Sequence, residues 1–281
     1  MDRYPPAATR SQKPKKLSQR LRTLKKQTGA RTADEAIARK VSDVLRQLRI
    51  LSPPVDVEQV AHACGFLRIE PKPLPLDALT FPTPNGSIIF VNSQNPHVRR
   101  RFSIAHEICH ALIPGELKSS EDAITLADTL EEHICDVGAA NLLMPGPMLA
   151  AKCRGMRPSL KSLLDCSNYF EVSLEAFARR IADTRTWSRK WALVRWRTNS
   201  DGSRSGEWIA GTSYRTIFHT KEGNTLNEHT GPTLRVPQLP EVGADPQHVY
   251  VQIGTYGLSA LMETQNYGPP GEPYIVSYLE P

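Results

Sequence analysis

The segment Phe102-Ser-Ile-Ala-His106-Glu107-Ile108-Cys109-His110-Ala-Leu-Ile113 carries two histidines four residues apart, with a glutamate directly after the first. On an α-helix four residues turn the chain by about 400° and advance it about 6 Å, so His106 and His110 share a face and can grip one cation. Glu107 then stands at the open side of that cation, where it can take a proton from water without being a ligand. With 8 His and 17 Glu in 281 residues, random placement yields roughly 0.01 such matches per chain, so composition does not account for the pattern. The flanking Phe102, Ile104, Ala105, Ile108, Ala111 and Leu112 make the helix apolar over much of its circumference. Burying three ionisable groups there is costly unless they are paired or metal-bound. Zinc lowers the pKa of bound water toward about 7, so the chemistry expected is hydrolysis of a peptide bond.

A catalytic zinc takes three protein ligands and keeps one position open. Downstream, Glu131-Glu132-His133-Ile134-Cys135-Asp136 leads into the apolar run GAANLLMP. Glu132 and Asp136 are four apart on one helical face, which assigns Glu132 as third ligand and Asp136 as hydrogen-bond partner of a ligand histidine. Glu131 and His133 diverge by about 100° to either side, so at most one of the three faces the metal squarely, with His133 the alternative ligand. Cys109 and Cys135 have apolar neighbours and read as core. Tyr169, Arg99 to Arg101 and the C-terminal tyrosines are candidates for the oxyanion donor, and the sequence does not choose between them. Two histidines and a carboxylate suit zinc and also accept manganese or iron.

The elements that must position these groups follow from periodicity. Ala36, Ile37, Val41, Val44, Leu45, Leu48 and Leu51 recur at helical spacing before Pro53 and Pro54. A short helix follows, with Asp56 as N-cap and Gly65 as its stop. Phe66–Ile69 and Ser87–Val91 read as strands joined by a Pro-rich connection. Asn95 as N-cap and Pro96 at the first helical position open the histidine helix, and the glutamate helix runs over about 122–143. Ser159 to Asp183 forms a helical hairpin with Ser173 as an N-cap. From Trp191 the texture changes to alternating WALVRW, WIAG, TLRV and HVYVQIG, broken by Pro and Gly, which predicts a β-rich domain.

Composition bounds the rest. Hydrophobic residues at 40% and charged residues at 23% are those of a globular protein, and no uncharged apolar run reaches the length of a membrane span. The opening MDRYPPAATRSQKPKK lacks the apolar core of a secretory signal, so a cytoplasmic location is expected. Five cysteines without a CxxC pair argue for reduced thiols rather than a disulfide framework or zinc ribbon. Residues 1–31 hold ten Lys or Arg and one Asp, a charge of +9, which leaves −3 of the total +6 for the remainder. The division expected is therefore a basic disordered tail over 1–31, a domain carrying the site over 32–150, a helical segment over 151–188 and a β-rich regulatory or sensor domain over 189–281. The tail offers a weak route to nucleic acid.

The ordered pieces PVDVEQVAHACGF, GSIIFVNSQ, RRRFSIAHEICHAL, EEHICDVGAANLLMP and EVSLEAFARRIAD together resemble the ImmA/IrrE family of metallopeptidases, over about residues 35 to 183. Within it the chain looks closest to the IrrE type, associated with the DNA-damage response of radiation-resistant bacteria, although the stretch from His110 to Glu132 is short for that type. The resemblance implies an α+β fold with a zincin-like domain, a helical middle segment and a GAF-like C-terminal domain. It implies a metal held by His106, His110 and Glu132, with Glu107 as base, and cleavage of a helix-turn-helix (XRE-type) repressor. An extended substrate is expected to pair with Ser87–Val91 as an edge strand. Two other readings stay open: a non-catalytic, metal-stabilised regulator that binds repressor or DNA, and an antirepressor protease of a mobile element or toxin-antitoxin system.

Overall fold

In a computed structural model the described residues are 13–115, 129–198, 204–212, 233–236, 239–253, 256–267 and 274–281. The chain divides into two compact units, 1–145 and 146–281. Both helices and sheets are present, a mixed α+β architecture.

The first unit opens with α1 (Lys13–Thr28) and α2 (Ala33–Gln47). The disordered tail expected over 1–31 is corrected from Lys13 onward. Leu17, Leu21 and Leu24 fall at helical spacing and are buried, so an apolar stripe runs beneath the basic residues. Residues 1–12 lie outside the described residues. Thr32 caps α2 by accepting from the Glu35 amide, and Glu35 accepts in turn from the Arg31 amide. Helix α2 ends at Gln47, where Arg49 takes a left-handed conformation (φ 54°) and the Ile50 amide donates back to Leu45. Leu51, expected on the apolar stripe, therefore falls past the helix and is exposed. Asp56 caps α3 (Val57–Ala63) by accepting from the amides of Glu58 and Gln59.

Three strands follow, β1 (Phe66–Lys72), β2 (Ala78–Thr83) and β3 (Gly86–Asn92), in the order β1-β3-β2, with β1 parallel and β2 antiparallel to β3. This overturns the expectation that Ser87–Val91 is an edge strand. Its run Ser87, Ile88, Ile89 and Val91 is buried because it lies between the other two. The edges are β1 and β2; β2 lies inside what reads as a Pro-rich connection, and Pro82 is tolerated there because an edge strand need not donate on both sides.

Helix α4 (His97–Leu112) carries the histidines and α5 (Thr129–Leu143) the glutamates. The beginning expected for the latter near 122 lies outside the described residues. Asn95 does not cap α4: Pro96 is the cap residue, no side chain bonds there, and the Asn95 amide donates to Asp77. Helices α4 and α5 approach closely through Gly138, where a Cβ would stand 2.5 Å from Cys109 Sγ and 2.8 Å from Ile37 Cγ1.

The second unit holds α6 (Gly146–Cys153), α7 (Leu160–Phe170) and α8 (Leu174–Asp183). Ser159 and Ser173 cap α7 and α8. Six strands follow, β4 (Ala192–Thr198), β5 (Arg204–Gly211), β6 (Thr233–Arg235), β7 (Gln247–Ile253), β8 (Tyr256–Tyr267) and β9 (Tyr274–Glu280). They close in sequence order into an antiparallel barrel as β9 returns to β4. Val194, Trp196, Val251, Ala260 and Met262 fill its core, where the Trp196 indole donates to Ser277 Oγ at 2.9 Å. All five cysteines are free.

Candidate metal centre

The histidine face of α4 is set by what its other faces bury. Ile104, Ala105, Ile108, Cys109 and Leu112 are in the core, which leaves the 106/107/110 stripe toward β2 and α5. The three arginines at its start are engaged: Arg99 pairs with Asp77, Arg100 donates to the carbonyls of Ser93 and Asn95, and buried Arg101 donates to the Val55 carbonyl at 2.9 Å. Tyr169 belongs to the second unit, where it meets Phe170 edge-on, and Tyr278 there stacks on Trp191.

His106 Nε2 lies 3.1 Å from His110 Nε2 and 3.1 Å from Glu132 Oε2, while His110 Nε2 lies 3.6 Å from Glu132 Oε1. Bonds of about 2.0–2.1 Å to a tetrahedral centre place donor atoms about 3.4 Å apart. Two ring nitrogens and a carboxylate pointed at one another at this spacing need a proton or a cation among them, and the donor set fits a divalent cation. Cys135 is the alternative third group, since its Sγ lies with the two histidine nitrogens within 4.8 Å. Its thiol is buried, and burial pushes its pKa far up. Glu132 is half-buried and offers a carboxylate without that cost.

The outer nitrogens are also occupied. His106 Nδ1 donates to Asp136 Oδ1 at 2.8 Å, and His110 Nδ1 donates to Glu131 Oε1 at 3.2 Å. With Nδ1 protonated, both Nε2 lone pairs turn inward. Burial by itself would lower the His106 pKa, but Asp136 and Glu132 outweigh it and lift the ring to about 9. Glu107 is half-buried on α4, and Thr80 Oγ1 on β2 donates to its Oε2 at 2.6 Å.

The structure thus brings His106, His110, Glu132, Glu107 and Asp136 together. His133 stands apart at the surface, 3.5 Å from Asp34. Thr80 and Arg20 escape the sequence reading, and Glu131 enters it only as a group weighed for the metal, not as the partner of His110. Glu131 is only 2% exposed and forms an ion pair with Arg20 of α1 at 3.0 Å. The available signal was that Arg20 and Leu21 follow Leu17 at i+3 and i+4, which puts the guanidinium at the border of the buried stripe.

Residues 66–182 match the IrrE N-terminal-like domain of Peptidase_M78. A radiation response metalloprotease IrrE of Deinococcus deserti is 37% identical over 109 residues, 35% of this chain and 38% of that protein. The protein of the same name from Deinococcus radiodurans is 35% identical over 96 residues, 32% of this chain and 29% of its own length. The matches therefore span only about a third of these relatives. A solved structure named as a Mycobacterium tuberculosis transcriptional regulator aligns with 94% of this chain and 76% of its own, at 13% identity and a TM-score of 0.37, a likeness too slight to carry fold or function. Among the described residues no single helix is long and apolar enough to cross a membrane. The segment 66–182 that matches the IrrE N-terminal-like domain of Peptidase_M78 holds both histidines and the acidic groups around them on α4 and α5.

Proposed function

We propose that this chain is a metal-dependent endopeptidase that cleaves a helix-turn-helix repressor of the XRE type and thereby releases a stress response to DNA damage. The observation that carries the reading is the convergence of His106 Nε2, His110 Nε2 and the Glu132 carboxylate beside Glu107. The radiation response named for the two Deinococcus relatives favours a stress-response role.

A divalent ion in this donor set, zinc or alternatively manganese, supplies Lewis acidity toward the scissile carbonyl and the attacking water. The chain's own residues do the remainder. Thr80 holds Glu107 Oε2, leaving Oε1 to accept the proton of the attacking water. Glu107 then returns that proton to the amide nitrogen as the C–N bond breaks. Asp136 and Glu131 hold the two rings in the tautomer that directs Nε2 inward. A substrate strand laid along the free edge of β2 passes beside Glu107, because Thr80 sits in the middle of that strand. The edge on β2 replaces the one expected on Ser87–Val91.

The test is to incubate the purified, metal-loaded chain with the repressor encoded beside it and read fragments by mass spectrometry. Glu107→Gln is expected to keep metal affinity and lower cleavage by about 10²–10⁴-fold. Repressor release that survives this substitution would mean that binding, not proteolysis, is the mechanism. Cleavage confined to a repressor of a mobile element or toxin-antitoxin system would instead favour the antirepressor branch.

A further inference from the structure

The basic N-terminal helix reaches the metal site. Arg20 on α1 donates through Nη1 to both oxygens of Glu131, at 3.1 and 3.0 Å, and through Nε to the Pro114 carbonyl at 3.0 Å. Pro114 follows the end of α4 and Glu131 stands in the first turn of α5, so one guanidinium ties together the two helices that carry the donor atoms. Glu131 in turn accepts from His110 Nδ1 at 3.2 Å. The fit around Arg20 is close: at Gly115 (φ +129°) a Cβ would meet Arg20 Nε at 2.8 Å. Leu17, Leu21 and Leu24 seat α1 on the unit and fix where the guanidinium lies. Arg20 lies outside the segment 66–182 that matches the family.

We infer that Arg20 is a positioning residue for the metal site, acting through Glu131 to fix the orientation and tautomer of His110; this rests on the reading that His106, His110 and Glu132 hold a cation. A buried carboxylate shared between a guanidinium and an imidazole is constrained at both oxygens, so it cannot rotate to release Nδ1. Without Arg20 the buried Glu131 carboxylate would lose its guanidinium partner and with it the contact that holds its position against the His110 ring. Helix α1 (Lys13–Thr28) is therefore part of the hydrolytic unit in this chain, not an appendage to it.

The test uses the full chain and measures Zn2+ dissociation constants by competition with a chromophoric chelator, with the ligand-field spectrum of the Co2+ form as a second readout. Arg20→Met and Glu131→Gln are each expected to weaken zinc binding by about 10–100-fold. The double variant should be no weaker than the poorer single one, and Arg20→Lys should recover part of the loss. Should Arg20→Met fail to fold, Arg20→Lys and the double variant, which removes both charges, still decide. Wild-type affinity and an unchanged Co2+ spectrum in a variant that merely melts earlier when metal-free would overturn the inference, leaving an ordinary ion pair. Losses that add in the double variant would overturn it too. If wild type binds no zinc, or His110→Ala binds as well as wild type, the metal-site reading itself fails and takes the relay with it.

Discussion

His106 uses both ring nitrogens: Nδ1 donates to Asp136, and Nε2 faces Glu132 and His110. That inner nitrogen is therefore contested between a proton and a cation. With a folded-state pKa of about 9 against about 6.5 for an unfolded histidine, the protonated ring stabilises the metal-free fold. The contribution is fully present below about pH 6.5 and is lost as pH rises through about 9. Chelator-treated protein should show a melting temperature that declines over this window, and Asp136→Asn should flatten the decline. A flat profile in the wild type would refute the assignment. The same proton must leave when a cation enters, so zinc affinity should rise with pH across the window. At this scale the sequence was explicit about the proposed ligands and about Asp136, and silent about Thr80 and Arg20. The spacing of His106, His110, Glu132 and Asp136 is a property of helices read one at a time. Thr80 and Arg20 reach the site from separate elements, and no local pattern announces that.

The elements succeed in positioning these groups where two features allow close approach. One is Gly138, where α5 meets Cys109 of α4 and Ile37 of α2 with no room for a methyl group. Gly138→Ala should cost about 1–3 kcal/mol in metal-free stability, as overpacking typically does. It should also weaken metal binding, because pushing α5 away carries Glu132 with it. A variant with unchanged melting temperature and zinc affinity would show that the crossing is not tight. The other feature is β2, whose Thr80 steadies Glu107. Thr80→Val keeps the shape of the side chain while removing a hydrogen bond to a charged group, worth about 1.5–3 kcal/mol. It should lower kcat about tenfold or more while leaving the zinc dissociation constant unchanged. A fall in zinc affinity instead would place Thr80 among the supports of the ligands. The helices capped by Asp56 and Ser173 were legible in sequence because each cap bonds within a few residues of itself. Strand β2 was not, because Pro82 masks its alternation, and α1 was not, because its lysines and arginines conceal Leu17, Leu21 and Leu24.

Across the whole molecule, the switch from helical to alternating texture near Trp191 was visible in sequence, but the closure of six strands was not. Pairing of β4 with β9 joins residues more than seventy positions apart, and such contacts leave no local signature. The boundary between compact units falls at 145/146, slightly ahead of the expected 150, and the family match crosses it. All four tryptophans, 187, 191, 196 and 208, lie in the second unit, whereas the proposed ligands lie in the first. Tryptophan fluorescence therefore reports on one unit and metal binding acts on the other. Zinc at about 100 times its dissociation constant stabilises whatever unfolds with the site by about 2.7 kcal/mol. Because each unit has its own buried core, the expected outcome is two transitions on heating. Zinc should raise the one followed by far-ultraviolet circular dichroism from the helices around the site and leave the tryptophan transition in place. His110→Ala should abolish the zinc-dependent rise without moving the tryptophan transition. A tryptophan transition that climbs with zinc in the wild type and not in His110→Ala would instead mean that the two units unfold together. The barrel would then be coupled energetically to the metal site, and deletion of residues 190–281 should change hydrolysis rather than only its regulation.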